Sequence, residues 1–208
     1  MSAINYQGEF NKQLNVNISL VRGCIDDGDY TLKIKNHAER YNRTTEEIRY
    51  KIMTDDMYAE IFAKDPGKQN IFEKLAAQYI SELDLVSDFV NLPNSAKIFV
   101  VDGLVVDKRQ NDVKSVDFIF RVGEKKIYAS HKYIKANGGA QDNQYNDVRN
   151  YLKNCKKIDG GDVYFVAICD GPYFANKIEL LNNDFGSSNV KVMTIDDVVD
   201  FVKSISGM

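Results

Sequence analysis

The segment KSVDFIFRVGEKKIYASHKYIK, residues 114–135, constrains the fold more than any other part of this chain. Two runs rich in β-branched and aromatic residues flank Gly123-Glu124, the pattern of two β-strands joined by a tight turn. It predicts strands over 115–122 and 126–134. Asp117 falls on the first strand and Lys132 near the end of the second. Side chains alternate along a strand, so Ser130 and Lys132 should share one face and His131 should point to the other. An acid that can hold a divalent cation, beside a lysine that can steady a phosphate, is what a metal-dependent phosphodiesterase requires.

Elsewhere the hydrophobic period sets the expected elements. Residues 1–65 are polar and weakly patterned. Within them Thr44 and the acids after it open a helix, with Ile48, Ile52, Met57 and Ile61 near helical spacing. Asp65-Pro66-Gly67 breaks the chain. Ile71, Phe72, Leu75, Ala76, Tyr79, Ile80 and Leu83 then form one stripe, which predicts an amphipathic helix over 69–90. KIFVVDGLVV, 97–106, reads as a strand, with a turn or bulge at Asp102-Gly103, and DKRQND as a polar loop. After the hairpin, Asn137-Gly138-Gly139 stops the second strand. A helix is expected over 140–155, burying Ala140, Tyr145, Val148, Tyr151 and Leu152. DVYFVAIC predicts a strand covered on both faces, and DGPYF a turn with a buried aromatic. A short helix or irregular stretch (173–185), a strand (189–193) and a helix capped by Thr194 complete the chain. The order from residue 69 is α-β-β-β-α-β-(α)-β-α, which implies an α/β fold with a mixed central β-sheet flanked by helices.

Composition narrows the function. With 208 residues, 44% apolar and 27% charged, the chain is globular rather than disordered. A net charge of −3 argues against a protein that coats nucleic acid. It leaves room for a local basic face: Arg121, Lys125, Lys126, Lys132 and Lys135 stand between residues 121 and 135 with Glu124 as the one acid. Such a face is either a solvated strand edge or a DNA contact. No stretch approaches the roughly 20 apolar residues of a membrane span, and the N-terminus lacks the form of a secretory signal. Cys24, Cys155 and Cys169 fit neither a zinc pattern nor a disulfide framework, so a reducing cytoplasm is expected. No phosphate-cradling glycine loop is present, so no nucleotide cofactor is expected.

These features together resemble the PD-(D/E)xK nuclease superfamily, whose best-known members are type II restriction endonucleases. Val116-Asp117 is similar to its Pro-Asp element and Ser130-His131-Lys132 to its acid-x-lysine element. GGAQDNQYNDVRNYL resembles the turn and helix that follow the catalytic lysine in type IIS cleavage domains. VYFVAICDGPYFANKIELL with NVKVMTIDDVVDFV resembles their closing elements.

The resemblance implies a restriction endonuclease-like core (αβββαβ) over 66–208 and a recognition or dimerisation segment in 1–65. It also implies hydrolysis of double-stranded DNA with Mg²⁺, or Mn²⁺ in its place, and a homodimer if the target is palindromic. Asp117 would ligate the metal, the backbone carbonyl of His131 would join it, and Lys132 would stabilise charge at the scissile phosphate. Glu73, on the helix before the sheet, takes the place of an auxiliary carboxylate; its bland reading is a surface glutamate. Ser130 stands where the family carries an acid, and a hydroxyl is a poor substitute at a magnesium site. The acid could have migrated to Asp142 or Asp147 on the next helix, Ser130 could be an inactivating substitution, or the domain could be a natural non-catalytic relative. Gln141, Asn143 and Gln144 are either DNA contacts, since Asn and Gln suit adenine edges, or a polar helix start.

Overall fold

The computed structural model describes residues 3–93, 95–96, 98–107, 115–135, 139–155 and 161–207, with the side chains of 139–141 excepted. Most of the polar loop at 107–112, Asn137-Gly138 and the side chains of Ala140 and Gln141 therefore lie outside the described residues. The chain divides into a helical unit, Asn5–Phe72, and an α/β unit, Glu73–Met208 with Met1–Ile4. Among the described residues no helix is long and apolar enough to cross a membrane.

The helical unit is built from α1 (Tyr6–Gly23), α2 (Gly28–Arg40), α3 (Thr45–Thr54) and α4 (Asp56–Glu60). Thr44 starts α3 with a reciprocal cap: Glu47 N–H donates to its hydroxyl and its own N–H donates to the Glu47 carboxylate, both at 3.1 Å. The single helix expected from this start is broken. Asp55 is extended (φ −132°, ψ 116°), ends α3, and caps α4 by accepting the Tyr58 N–H. The break shifts the helical phase. Ile48 and Ile52 stay buried and are joined by Ala59 and Phe62, whereas Met57 and Ile61 turn outward at 82% and 59% exposure. Ile18 and Val21 of α1 with Ile34 and Ala38 of α2 complete this core.

The α/β unit takes most of α5 (Ile71–Ser81) and then two elements that differ from expectation. Instead of continuing as helix to residue 90, the chain forms β1 (Ser87–Asn91), because this segment finds a partner strand. The expected strand at 97–106 folds back on itself as β2 (Phe99–Val101) and β3 (Leu104–Val106). Asp102 and Gly103 both take positive φ (48° and 78°), as a two-residue Asp-Gly hairpin turn requires. β4 (Phe118–Val122), β5 (Lys125–Tyr133), α6 (Gly139–Cys155), β6 (Val163–Asp170), α7 (Ile178–Phe185), β7 (Val190–Met193) and α8 (Val198–Ser206) follow.

The main sheet has five strands in the order β1-β4-β5-β6-β7. Its β1-β4-β5 half is antiparallel and its β5-β6-β7 half parallel, so it is mixed, with β5 at the junction. On one face Tyr128, Phe165, Ala167, Cys169, Val190 and Val192 pack into a core with α6 and α7. The other face is also closed: Phe89 stacks near Phe118 and Phe120, and Tyr164 meets Phe201 of α8 edge-on. The helix expected at 140–155 buries Val148, Tyr151 and Leu152 as its periodicity implies. A 3-10 turn at Pro172–Phe174 buries Tyr173 and Phe174. It is reached through Gly171 at φ 94°, where a Cβ would run into the Ile134 carbonyl.

Candidate functional site

The β4–β5 register builds the site. Phe118 pairs with Ala129, and Asp117 N–H donates to the Ala129 carbonyl at 2.9 Å, which sets Asp117 opposite Ser130. Ser130 Oγ donates to Asp117 Oδ2 at 3.0 Å, and the His131 backbone N–H donates to the same oxygen at 2.8 Å. Lys132 Nζ stands 3.7 Å from Oδ2 and donates to the His131 carbonyl at 2.9 Å. All three approach Oδ2. Asp117 is 8% exposed and Ser130 4%. The Lys132 side chain keeps 13% of its surface, so the group is recessed without being sealed. A polar group at this depth is costly to bury without such hydrogen-bond partners.

Two protonated groups border this cluster. Burial pushes the Cys169 thiol well above its usual range, although Lys132, its register partner across β5–β6, pulls the other way. Burial also raises the Tyr151 hydroxyl, with Cys155 and Asp117 adding to the effect, and that hydroxyl donates to the Tyr128 carbonyl at 2.8 Å.

His131 points to the opposite face, as strand alternation predicts. Its Nε2 lies 3.1 Å from Asp170 Oδ2, and Asp170 Oδ1 accepts the Ile195 N–H at 2.9 Å; both side chains are almost fully buried. His131 is therefore held at three points: by its ring across the sheet, and by its peptide N–H and carbonyl, which engage Asp117 and Lys132. Asp170 does not stand out in the sequence, where it reads as the acid that ends a strand. The parallel partnership of β5 and β6 is what brings it to His131.

The remaining candidates are distributed differently. Asp142 is exposed in the first turn of α6, and its Oδ1 accepts the Tyr173 hydroxyl at 3.1 Å. Asp147 on α6 and Glu73 on α5 are half-buried. Among the described residues no three His, Cys, Asp or Glu side chains gather as a group that could hold a metal ion. Lys135 and Asn143 are exposed and Gln144 half-buried, while the side chain of Gln141 lies outside the described residues. The structure thus brings Asp117, Ser130, His131 and Lys132 together at one point, and Asp142 is occupied with Tyr173. Neither a protein-family model nor a curated protein matches this chain.

Proposed function

We propose that the chain is a magnesium-dependent endonuclease of the PD-(D/E)xK type, hydrolysing phosphodiester bonds of double-stranded DNA. One observation carries the reading: neighbouring strands present a recessed carboxylate and an ammonium 3.7 Å apart on one face of a mixed sheet. The β1-β4-β5 antiparallel run followed by α6 and the parallel strand β6 supports it, with β2–β3 as an inserted hairpin.

The donor set suits an ion shared with substrate rather than one caged by protein. Magnesium usually keeps several waters and takes only one or two carboxylates together with substrate phosphate. Asp117 would hold it, with the His131 carbonyl as a second oxygen. When bound, the ion would act as a Lewis acid on the phosphate. Lys132 would supply fixed positive charge to the phosphate oxygens as the in-line displacement proceeds, from a recessed site where bulk water screens it less. Ser130 would orient Asp117 through its hydrogen bond.

Incubation of the native chain with plasmid DNA and Mg²⁺ or Mn²⁺ tests this; discrete fragments that vanish with a chelator are expected. Lys132→Met, which keeps the stem and removes the charge, should slow cleavage about 10²–10³-fold. Absence of cutting with every divalent metal would count against the proposal.

The Ser130–Asp117 hydrogen bond favours a second reading, a silent nuclease fold that binds DNA or a partner subunit. Two acids at these positions would repel each other unless a cation lay between them. With Ser130 the hydroxyl donates instead, and the cluster satisfies itself without an ion. Ser130→Asp separates the readings: cleavage confined to that variant identifies the native chain as silent.

A further inference from the structure

We infer that the helical unit carries its own DNA-backbone site, a hollow on the exposed side of α2 that takes two phosphates of a duplex. Lys33, Asn36, His37 and Arg40 line it at helical spacings of three, four and seven, so they share one face. Ile61 and Phe62 form its apolar wall, and its volume is about 420 Å³. Lys33, Asn36 and Arg40 are exposed.

Two of the charges that line this hollow have no acidic partner among the described residues. Among the described residues four cations of the helical unit pair with acids: Lys12 with Glu9, Arg22 with Asp56, Lys35 with Glu39 and Arg49 with Asp26. Among the described residues Lys33 and Arg40 pair with no carboxylate. Each lies over a ring instead, Lys33 4.9 Å from the Tyr30 centroid and Arg40 5.6 Å from that of Tyr41. A ring orients a cation and leaves its charge in place. The hollow is also rigid at its centre: His37 Nε2 lies 3.1 Å from the Tyr58 hydroxyl, and its ring packs 5.0 Å from that of Phe62.

Spacing selects the ligand. Seven residues of α-helix separate Lys33 from Arg40, about 10 Å along the axis. Two cations so far apart match a polyanion better than one small phosphate. Two phosphate contacts imply release of about two counterions on binding. In a chain of net charge −3, such local charge is what lets DNA approach.

The test is a salt titration of the full chain with a fluorescent DNA duplex in chelator, so that no cleavage intervenes. Lys33→Ala/Arg40→Ala should lower affinity at least tenfold at low salt and reduce the slope of log K against log salt by about 2. Lys35→Ala removes the same charge from the same helix, but from the pair with Glu39, and should leave the slope unchanged. A double variant with native slope, an equal loss in Lys35→Ala, or tighter binding of an RNA hairpin than of the duplex would each overturn the inference. The outcome is separable from the endonuclease reading. A chain that binds here and never cuts loses that reading and keeps this one; a chain that cuts, with a double variant of unchanged slope, does the reverse.

Discussion

Ser130 decides how the cluster around Asp117 behaves in the absence of an ion. Its hydroxyl and the His131 N–H solvate one carboxylate oxygen, and Lys132 neutralises it. A hydrogen bond to a buried charge contributes about 1.5–3 kcal/mol, so the arrangement has a stabilising role as well as a proposed chemical one. Asp170 reaches the same cluster from behind the sheet through His131. It is a positioning residue in the proposed reaction, and Asp170→Asn is expected to lower kcat with KM unchanged. The same variant should reduce stability by about 1–3 kcal/mol. Steady-state cleavage kinetics alongside urea denaturation check both; a KM effect alone would contradict the positioning role. Strand alternation makes the common face of Ser130 and Lys132, and the opposite face for His131, legible in the sequence. Asp170 was not legible in that way, because a parallel register joins residues 39 apart and leaves no local signature.

At the level of elements, strong periodicity translated into structure and weak periodicity did not. The β4–β5 hairpin, α6, β6 and the C-terminal helix lie close to where their patterns put them, although Thr194 caps a 3-10 turn, Ile195–Asp197, that leads into α8. α1 was not evident because its buried side includes Asn17, which donates to the Lys64 carbonyl and to Gln69, while Val16 and Leu20 face outward. Its polar and apolar positions are mixed on both sides. The sequence of β1 reads as helix because its stability as a strand resides in pairing with β4, and local sequence carries little of that information. The β2–β3 turn shows the converse: Asp102-Gly103 announces a bend, and only the fold shows that the bend is a full reversal. A single position tests the same reasoning at the β6 exit. Gly171 combines positive φ with close approach to the Ile134 carbonyl. Gly171→Ala should therefore cost about 1–3 kcal/mol, read as a lowered urea midpoint with unchanged slope. A neutral result would show that the turn can relax.

Across the whole molecule, burial fixes the protonation of several groups and hence the response to alkali. Burial pushes the thiols of Cys155 and Cys169 well above their ordinary value of 9.0. The Tyr151 hydroxyl is raised above its ordinary 10.0, also chiefly by burial. In the folded chain these groups keep protons that the unfolded chain gives up. Their contribution is complete below pH 9.0 and is lost as pH climbs toward the folded values, since the unfolded state then binds fewer protons. Urea midpoints should be level near neutrality and fall steadily above pH 9.0. A profile that stays flat to pH 11 would contradict this account.

The strand that bears Ser130 and Lys132 is bonded along both edges, to β4 on one side and β6 on the other. A slip of one residue would exchange His131 for its neighbours on the α6 face and would have to break two ladders at once. The backbone ladders that display these side chains run through peptide groups on both edges of the strand. The chain could therefore lose the proposed chemistry by exchanging one group and still fold, whereas loosening the scaffold would forfeit both together.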